Sequence, residues 1–126
     1  LSPAMGGIII GYDIGRILGI ETIFSERVNG TFKLRRDFTI KKNSKVLIIE
    51  DVITTGKSSL ECSELIKKAG AKLVGYACII DRSNGLSAIK DKIVSQIELV
   101  IPTYTKNNLP KDLSLIKAVK PGSRNL

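Results

Sequence analysis

The sequence predicts an α/β domain built on a mainly parallel sheet, and three observations carry that expectation. Val46-Leu47-Ile48-Ile49 is an unbroken apolar run, as expected of a strand covered on both faces. Residues 58–69 follow with apolar Leu65, Ile66 and Ala69 on one helical face and Gly70 as a stop. Residues 72–80 then return to a buried-strand pattern, so strand, helix and strand alternate as in parallel α/β units. The 126 residues suit one domain with a real core and are too few for two, so residues 1–126 read as a single domain.

The remaining elements follow in order. Leu1-Ser2-Pro3-Ala4-Met5-Gly6-Gly7 reads as a loop opening a helix, with no strand ahead of it, so the chain is expected to begin in mid-domain. Gly7, Gly11, Gly15 and Gly19 recur every four residues through the helix expected over Gly7–Leu18, forming a stripe that lets another backbone approach closely. Each of these glycines costs roughly 1 kcal/mol of helix propensity relative to Ala, so packing must compensate. Residues 21–26 read as a short strand, and Asn29-Gly30 is a strong hairpin turn. Phe32, Leu34, Phe38 and Ile40 suggest extended structure beyond it. Residues 94–101 form a further strand candidate, and the tail from Pro102 is only weakly patterned.

Composition limits the chemistry. At 43% hydrophobic and 25% charged the chain reads as soluble and globular, and no run approaches the roughly 20 apolar residues that span a bilayer. The absence of a secretory pattern makes a cytoplasmic location the expectation. Cys62 and Cys78 read as reduced packing residues. Histidine is absent, which excludes an imidazole base and argues against structural zinc. A net charge of +8 implies an anionic partner, either a phosphate-rich small molecule or nucleic acid. The cations cluster: Arg27, Lys33, Arg35, Arg36, Lys41 and Lys42 are opposed only by Asp37.

In open α/β sheets ligands sit beyond the carboxyl ends of the strands, and residues 2–7, 50–58 and 81–85 are the loops expected there. The middle one is the most informative. It presents two adjacent carboxylates, Glu50 and Asp51, then Thr54-Thr55-Gly56-Lys57-Ser58 at a helix start. Unpaired amides and partial positive charge at a helix N-terminus suit a phosphate. Two carboxylates repel a phosphate but accept hydrogen bonds from vicinal hydroxyls, and a phosphorylated sugar supplies both groups. Gly56-Lys57-Ser58 imitates the end of a nucleotide-binding P-loop. That pattern needs a glycine where Asp51 stands, so a triphosphatase reading fails.

Residues 46–58, VLIIEDVITTGKS, resemble the 5-phosphoribosyl 1-pyrophosphate (PRPP) signature of the type I phosphoribosyltransferases. The resemblance implies a three-layer α/β/α fold with a mainly parallel sheet, here without the N-terminal part of the family domain. It implies that Glu50 and Asp51 hold the ribose 2′- and 3′-hydroxyls. Val52, Ile53, Thr54, Thr55, Gly56, Lys57 and Ser58 would then complete the PRPP site around the 5′-phosphate.

Further segments resemble the orotate-using branch of the family. Ser2-Pro3-Ala4-Met5-Gly6-Gly7 resembles its pyrophosphate loop, implying that Met5, Gly6 and Gly7 meet the pyrophosphate, although many relatives carry a lysine where this chain has Gly6. Glu26-Arg27, Asn29-Gly30 and Leu34-Arg35-Arg36 resemble its mobile loop, Ala77-Cys78-Ile79-Ile80-Asp81-Arg82-Ser83 its orotate-holding strand and turn, and Lys120-Pro121-Gly122-Ser123-Arg124 its C-terminus. The implied reaction moves a phosphoribosyl group from PRPP to orotate, giving orotidine 5′-monophosphate and pyrophosphate. Thr54 and Arg82 would contact orotate, and Arg27 and Lys33, with Arg35 beside them, would supply catalytic positive charge. Mg²⁺ would ride on substrate oxygens with no direct protein ligand, and a homodimer would share the mobile loop across its interface.

Two alternatives stand beside this reading. One is a purine-base phosphoribosyltransferase. The other is a PRPP-sensing regulator whose basic stretch grips nucleic acid, against which the chain offers few stacking aromatics, with three Tyr, three Phe and no Trp.

Overall fold

The computed structural model describes residues 1–117 and 119. The Lys120-Pro121-Gly122-Ser123-Arg124 segment lies outside the described residues. In chain order the elements are β1 (Ser2–Pro3), α1 (Gly7–Leu18), β2 (Phe24–Val28), β3 (Thr31–Leu34), β4 (Lys45–Ile53), α2 (Lys57–Lys68), β5 (Lys72–Asp81) and β6 (Ile93–Glu98). A 3₁₀ turn (Lys106–Asn108) and α3 (Lys111–Ser114) follow.

β4, β5 and β6 pair in parallel in that order; α2 makes the crossover from β4 to β5, and irregular chain joins β5 to β6. A second sheet runs β1-β2-β3, with β1 parallel to β2 and β2 antiparallel to β3. Leu1 joins the two: its nitrogen donates to Leu47 O at 2.9 Å, and Ile49 N donates to its carbonyl at 3.0 Å. Residues 1–3 therefore complete the middle of the sheet instead of forming an opening loop. Two residues of strand carry no periodic signal, and their pairing with positions more than twenty residues away is invisible to local pattern.

The other departures also have local causes. The strand expected over 21–26 lies at Phe24–Val28, because Gly19 ends α1 in the left-handed conformation and the next four residues cross back to the sheet. Asn29 and Gly30 both have positive φ, so the hairpin turn forms as expected. The strand beyond it stops at Leu34, because Arg36 and Asp37 both turn left-handed. Phe38 and Ile40 still pack against the core, from irregular chain.

The core lies between the sheet and α2, where Ile48, Cys62, Ile66 and Tyr76 are almost fully buried. Both thiols are free and buried, and burial pushes each up to about 11, so they stay protonated at neutral pH. α1 covers the opposite face through its glycine stripe, of which Gly7, Gly11 and Gly15 are buried. A Cβ at Gly7 would stand 2.9 Å from the Ile49 carbonyl oxygen, and one at Gly11 would overlap the Ser2 hydroxyl. The helix rests directly on the sheet backbone. Among the described residues no helix is long and apolar enough to cross a membrane.

Gly11→Ala gains about 1 kcal/mol of helix propensity but forces overlap with the buried Ser2. Overpacking of that kind costs about 1–3 kcal/mol. Urea denaturation should therefore show no stabilisation and a net loss of up to about 2 kcal/mol; a clear gain would mean that the contact yields freely.

Candidate functional site

β4 runs through Glu50 and Asp51 to Ile53, so the two acids stand on a strand, where a loop was expected. Successive strand residues point to opposite faces, and the two carboxylates accordingly part. Glu50 turns toward α2, where the Ser59 hydroxyl donates to its Oε2. Asp51 turns toward the start of α1, where its carboxylate fills the space that any side chain at Gly6 would need. Its Oδ1 also accepts from the Val52 amide at 2.9 Å. The cavity at this end of β4 is lined by Glu50 and not by Asp51, so the structure brings the first of the two acids into it and sets the second on the other face of β4.

After β4, Thr54-Thr55-Gly56 turns the chain into α2. Gly56 is the N-cap with φ 77°, and a Cβ there would lie 2.6 Å from Ser87 Oγ and 2.8 Å from Ile89 Cγ1. Only glycine fits both the backbone conformation and this close approach. The turn is braced from below, since Ala88 N donates to Thr55 O at 3.0 Å and Arg82 N to Ile53 O at 2.8 Å. Gly56 offers no capping side chain. Thr55 Oγ1 accepts from the Lys57 amide at 3.4 Å, while the Ser58 and Ser59 amides have no side-chain partner among the described residues and remain open to a ligand. Thr54, Thr55 and Lys57 are exposed beside them.

These groups line one cavity of about 460 Å³: Arg27, Glu50, Val52, Ile53, Thr54, Thr55, Gly56, Lys57 and Ser58. Arg27 arrives from β2. Its Nη1 lies 2.9 Å from Glu61 Oε2 of α2, close enough for an ion pair though not aligned as a hydrogen bond. It also bonds the Gly30 carbonyl and packs 4.3 Å from the Phe32 ring centroid. The hairpin thus delivers a fixed guanidinium to the rim of its own chain's cavity.

The other sequence candidates stand outside that cavity. Met5 is exposed and precedes Gly6 and Gly7 at the start of α1, across β4 from Glu50. Lys33 is exposed on β3, paired across the ladder with Glu26. Arg36 holds Glu26 at 3.0 Å, and Arg35 lies 4.0 Å from the same carboxylate. Arg82 follows the carboxyl end of β5, half-buried, its Nε buried without a partner among the described residues. It does not pair with Asp81, whose Oδ1 accepts from the Ser83 amide at 2.7 Å.

Sequence reading missed Ser59 and Glu61. Ser59 shows no pattern that links it to Glu50 nine positions earlier. Glu61 had one weak signal, since it lies three residues after Ser58 and so shares its face of α2.

Burial pushes the Glu50 carboxyl above its ordinary value; the Ser59 hydrogen bond acts in the opposite direction, and the neighbouring Asp51 charge adds to the rise. Because the folded value exceeds the unfolded one, Glu50 favours the fold at low pH. That contribution is lost as pH rises through the raised value. Among the described residues no three His, Cys, Asp or Glu side chains gather as a metal cage.

The phosphoribosyl transferase domain model matches residues 1–113. An orotate phosphoribosyltransferase of Parvibaculum lavamentivorans is 46% identical over 126 residues, covering 100% of this chain and 65% of that protein. An adenine phosphoribosyltransferase structure from Thermoanaerobacter pseudethanolicus superposes with a TM-score of 0.68 at 15% identity, over 78% of this chain and 67% of that one. An orotate phosphoribosyltransferase structure from Aeropyrum pernix gives 0.64 at 22% identity, over 78% and 58%. At such identities these two structural likenesses speak for the fold alone. The chain spans about 65% of the length of the curated relatives it matches.

Glu50→Gln keeps an acceptor for Ser59 and removes the buried charge. Thermal melts from pH 4 to 8 should show the variant gaining on the wild type as pH rises, with the difference smallest at pH 4. A difference that shrinks with rising pH would refute the assigned direction.

Proposed function

The chain belongs to the phosphoribosyl transferase domain family, and from that premise we propose that the whole protein transfers a phosphoribosyl group from PRPP to orotate, releasing orotidine 5′-monophosphate and pyrophosphate. The observation that carries this reading is the cavity in which Glu50, Arg27 and the glycine-capped start of α2 converge. The choice of orotate is supported by the near-half identity to orotate phosphoribosyltransferases along all of this chain.

We assign the roles as follows. The amides opening α2, with the Thr54, Thr55 and Ser58 hydroxyls, hold the 5′-phosphate; the helix dipole adds to that attraction. Glu50 accepts a hydrogen bond from a ribose hydroxyl, and Thr54 stands where the ribose meets the base. Asp51, whose carboxylate lies against Gly6, is assigned to the second ribose hydroxyl, and Met5, Gly6 and Gly7 to the pyrophosphate. As the bond from ribose C1 to the pyrophosphate oxygen lengthens, positive charge develops on the ribose and negative charge on the leaving group. Arg27 stabilises the latter from a preset position, and Lys33 joins it only if the hairpin moves. Arg82 receives the orotate carboxylate. Mg²⁺ bound with the substrate would neutralise charge on the departing pyrophosphate; no side chain is assigned to it as a ligand.

A cytoplasmic homodimer is part of the same proposal. The fold does not choose the base, since adenine and orotate enzymes both share it. The test is therefore to offer orotate, adenine, hypoxanthine and xanthine separately to the intact protein with PRPP and Mg²⁺. Consumption of orotate alone is expected; turnover of a purine without orotate would replace this reading, and salt-sensitive nucleic-acid binding without any turnover would favour a regulator.

Arg82→Ala should weaken orotate binding by roughly 1.5–3 kcal/mol, the usual worth of a charged hydrogen bond. That corresponds to a rise in orotate KM of about 10- to 150-fold with the PRPP KM little changed. An unchanged orotate KM would remove Arg82 from the base site.

A further inference from the structure

Among the described residues Glu50 is the only acid lining the cavity, and its place there depends on a residue behind it. Ser59 is fully buried in the first turn of α2, 0% exposed, and its hydroxyl donates to Glu50 Oε2. A serine hydroxyl carries one hydrogen, so this bond uses it entirely. The bond fixes one oxygen against α2 and leaves Oε1 without a hydrogen-bond partner among the described residues, on a side chain that lines the cavity. The short turn between β4 and α2 sets this geometry, because it lays the first helical turn directly over the strand that bears Glu50.

We propose that Ser59 is a positioning residue of the donor site, holding the Glu50 carboxylate in one orientation and presenting its second oxygen to a ribose hydroxyl. This rests on reading the cavity as the PRPP site. Without the bond, the carboxyl would be free to swing within the pocket and would lose a donor that favours its charged form.

The other groups near Glu50 do not replace that donor. Asp51 lies on the opposite face of β4, while Cys78 is the register neighbour on β5. Cys62 and Glu61 stand on α2, and both thiols are neutral at pH 7. Arg27 from β2 and Lys57 from α2 are the cations on the cavity wall, and Arg27 is committed to Glu61.

Two measurements on the intact protein test this. Calorimetric PRPP binding across pH 5–9 is compared for wild type, Ser59→Ala, Glu50→Gln and the double variant. In ligand-free protein, carbon-detected NMR follows the titration of the Glu50 carboxyl with and without Ser59→Ala. The expected result is that Ser59→Ala weakens PRPP binding roughly tenfold near neutral pH, shifts the acid limb of binding to higher pH, and raises the Glu50 midpoint. In the Glu50→Gln background, Ser59→Ala should add little. An unmoved Glu50 midpoint, or an equal loss in both backgrounds, would overturn the proposal while leaving the donor site standing. A wild-type protein that binds no PRPP at any pH would instead overturn the donor reading itself, and this proposal with it.

Discussion

A strand covered on both faces must send successive side chains in opposite directions, and β4 does this with two adjacent carboxylates. The consequence reaches across the whole molecule. Glu50 goes under α2 and ties the strand to the helix that opens the cavity. Asp51 goes under the loop that opens α1, where Gly6 leaves room for it. One dipeptide in the middle of the sheet therefore anchors the turns at the start of both helices. The loops after β1, β4 and β5 gather at the same edge because their strands run parallel, and this makes that edge the only place where the two acids and Arg82 could serve one ligand.

Positive charge is distributed with similar economy. The chain carries +8, and in the hairpin region two of the cations, Arg27 and Arg36, are held close by an acid. Arg27 is held by Glu61 and lies against Phe32, whereas Arg36 is bonded to Glu26. Exposed pairs such as Arg36 with Glu26 contribute little to stability, commonly under about 1 kcal/mol. Their effect is geometric: they pin the residues flanking the Asn29-Gly30 turn and fix where Arg27 points. A loosely solvated basic face would have left Arg27 free to follow solvent. Here the hairpin is bound to α2 through the residue that also reaches the cavity.

How much of this could be read beforehand follows from distance along the chain. The strand, turn and helix of residues 46–58 were legible because every part of the signal is contiguous: an apolar run, paired acids, hydroxyls and a glycine. The helix Gly7–Leu18 emerged with those bounds, since a four-residue glycine stripe has one periodic meaning and Gly19 terminates it. The parallel pairing of residues 1–3 was not legible, because it joins position 2 to 24 and position 1 to 47 and 49 and leaves no local pattern. The divergence of Glu50 and Asp51 followed from a single misplaced boundary, which gave the loop four residues that belong to the strand. Ser59 and Glu61 were hidden because their meaning comes from partners on other elements. The choice of orotate rested on the resemblance of several short segments outside the central motif, since adenine and orotate enzymes share the fold.

The same motif admits a plainer reading, an ordinary helix capped after a buried strand with two solvated acids. The structure argues against it on two grounds. The N-cap of α2 is a glycine with no side chain to give, and the Thr55 hydroxyl reaches only the Lys57 amide in a long 3.4 Å bond, so the segment forgoes most of what a Ser, Thr, Asp or Asn cap would add, commonly about 1 kcal/mol. Glu50 is not solvated but pressed under α2, its carboxyl pushed upward by burial. A β-branched apolar residue at position 50 would continue the pattern of β4 and avoid that cost. A strand that carries a partly buried carboxylate, beside a helix end left open, gives up stability at two adjacent points. Both sacrifices face the same cavity, and a ligand offering a hydroxyl to one and a phosphate to the other compensates both at once.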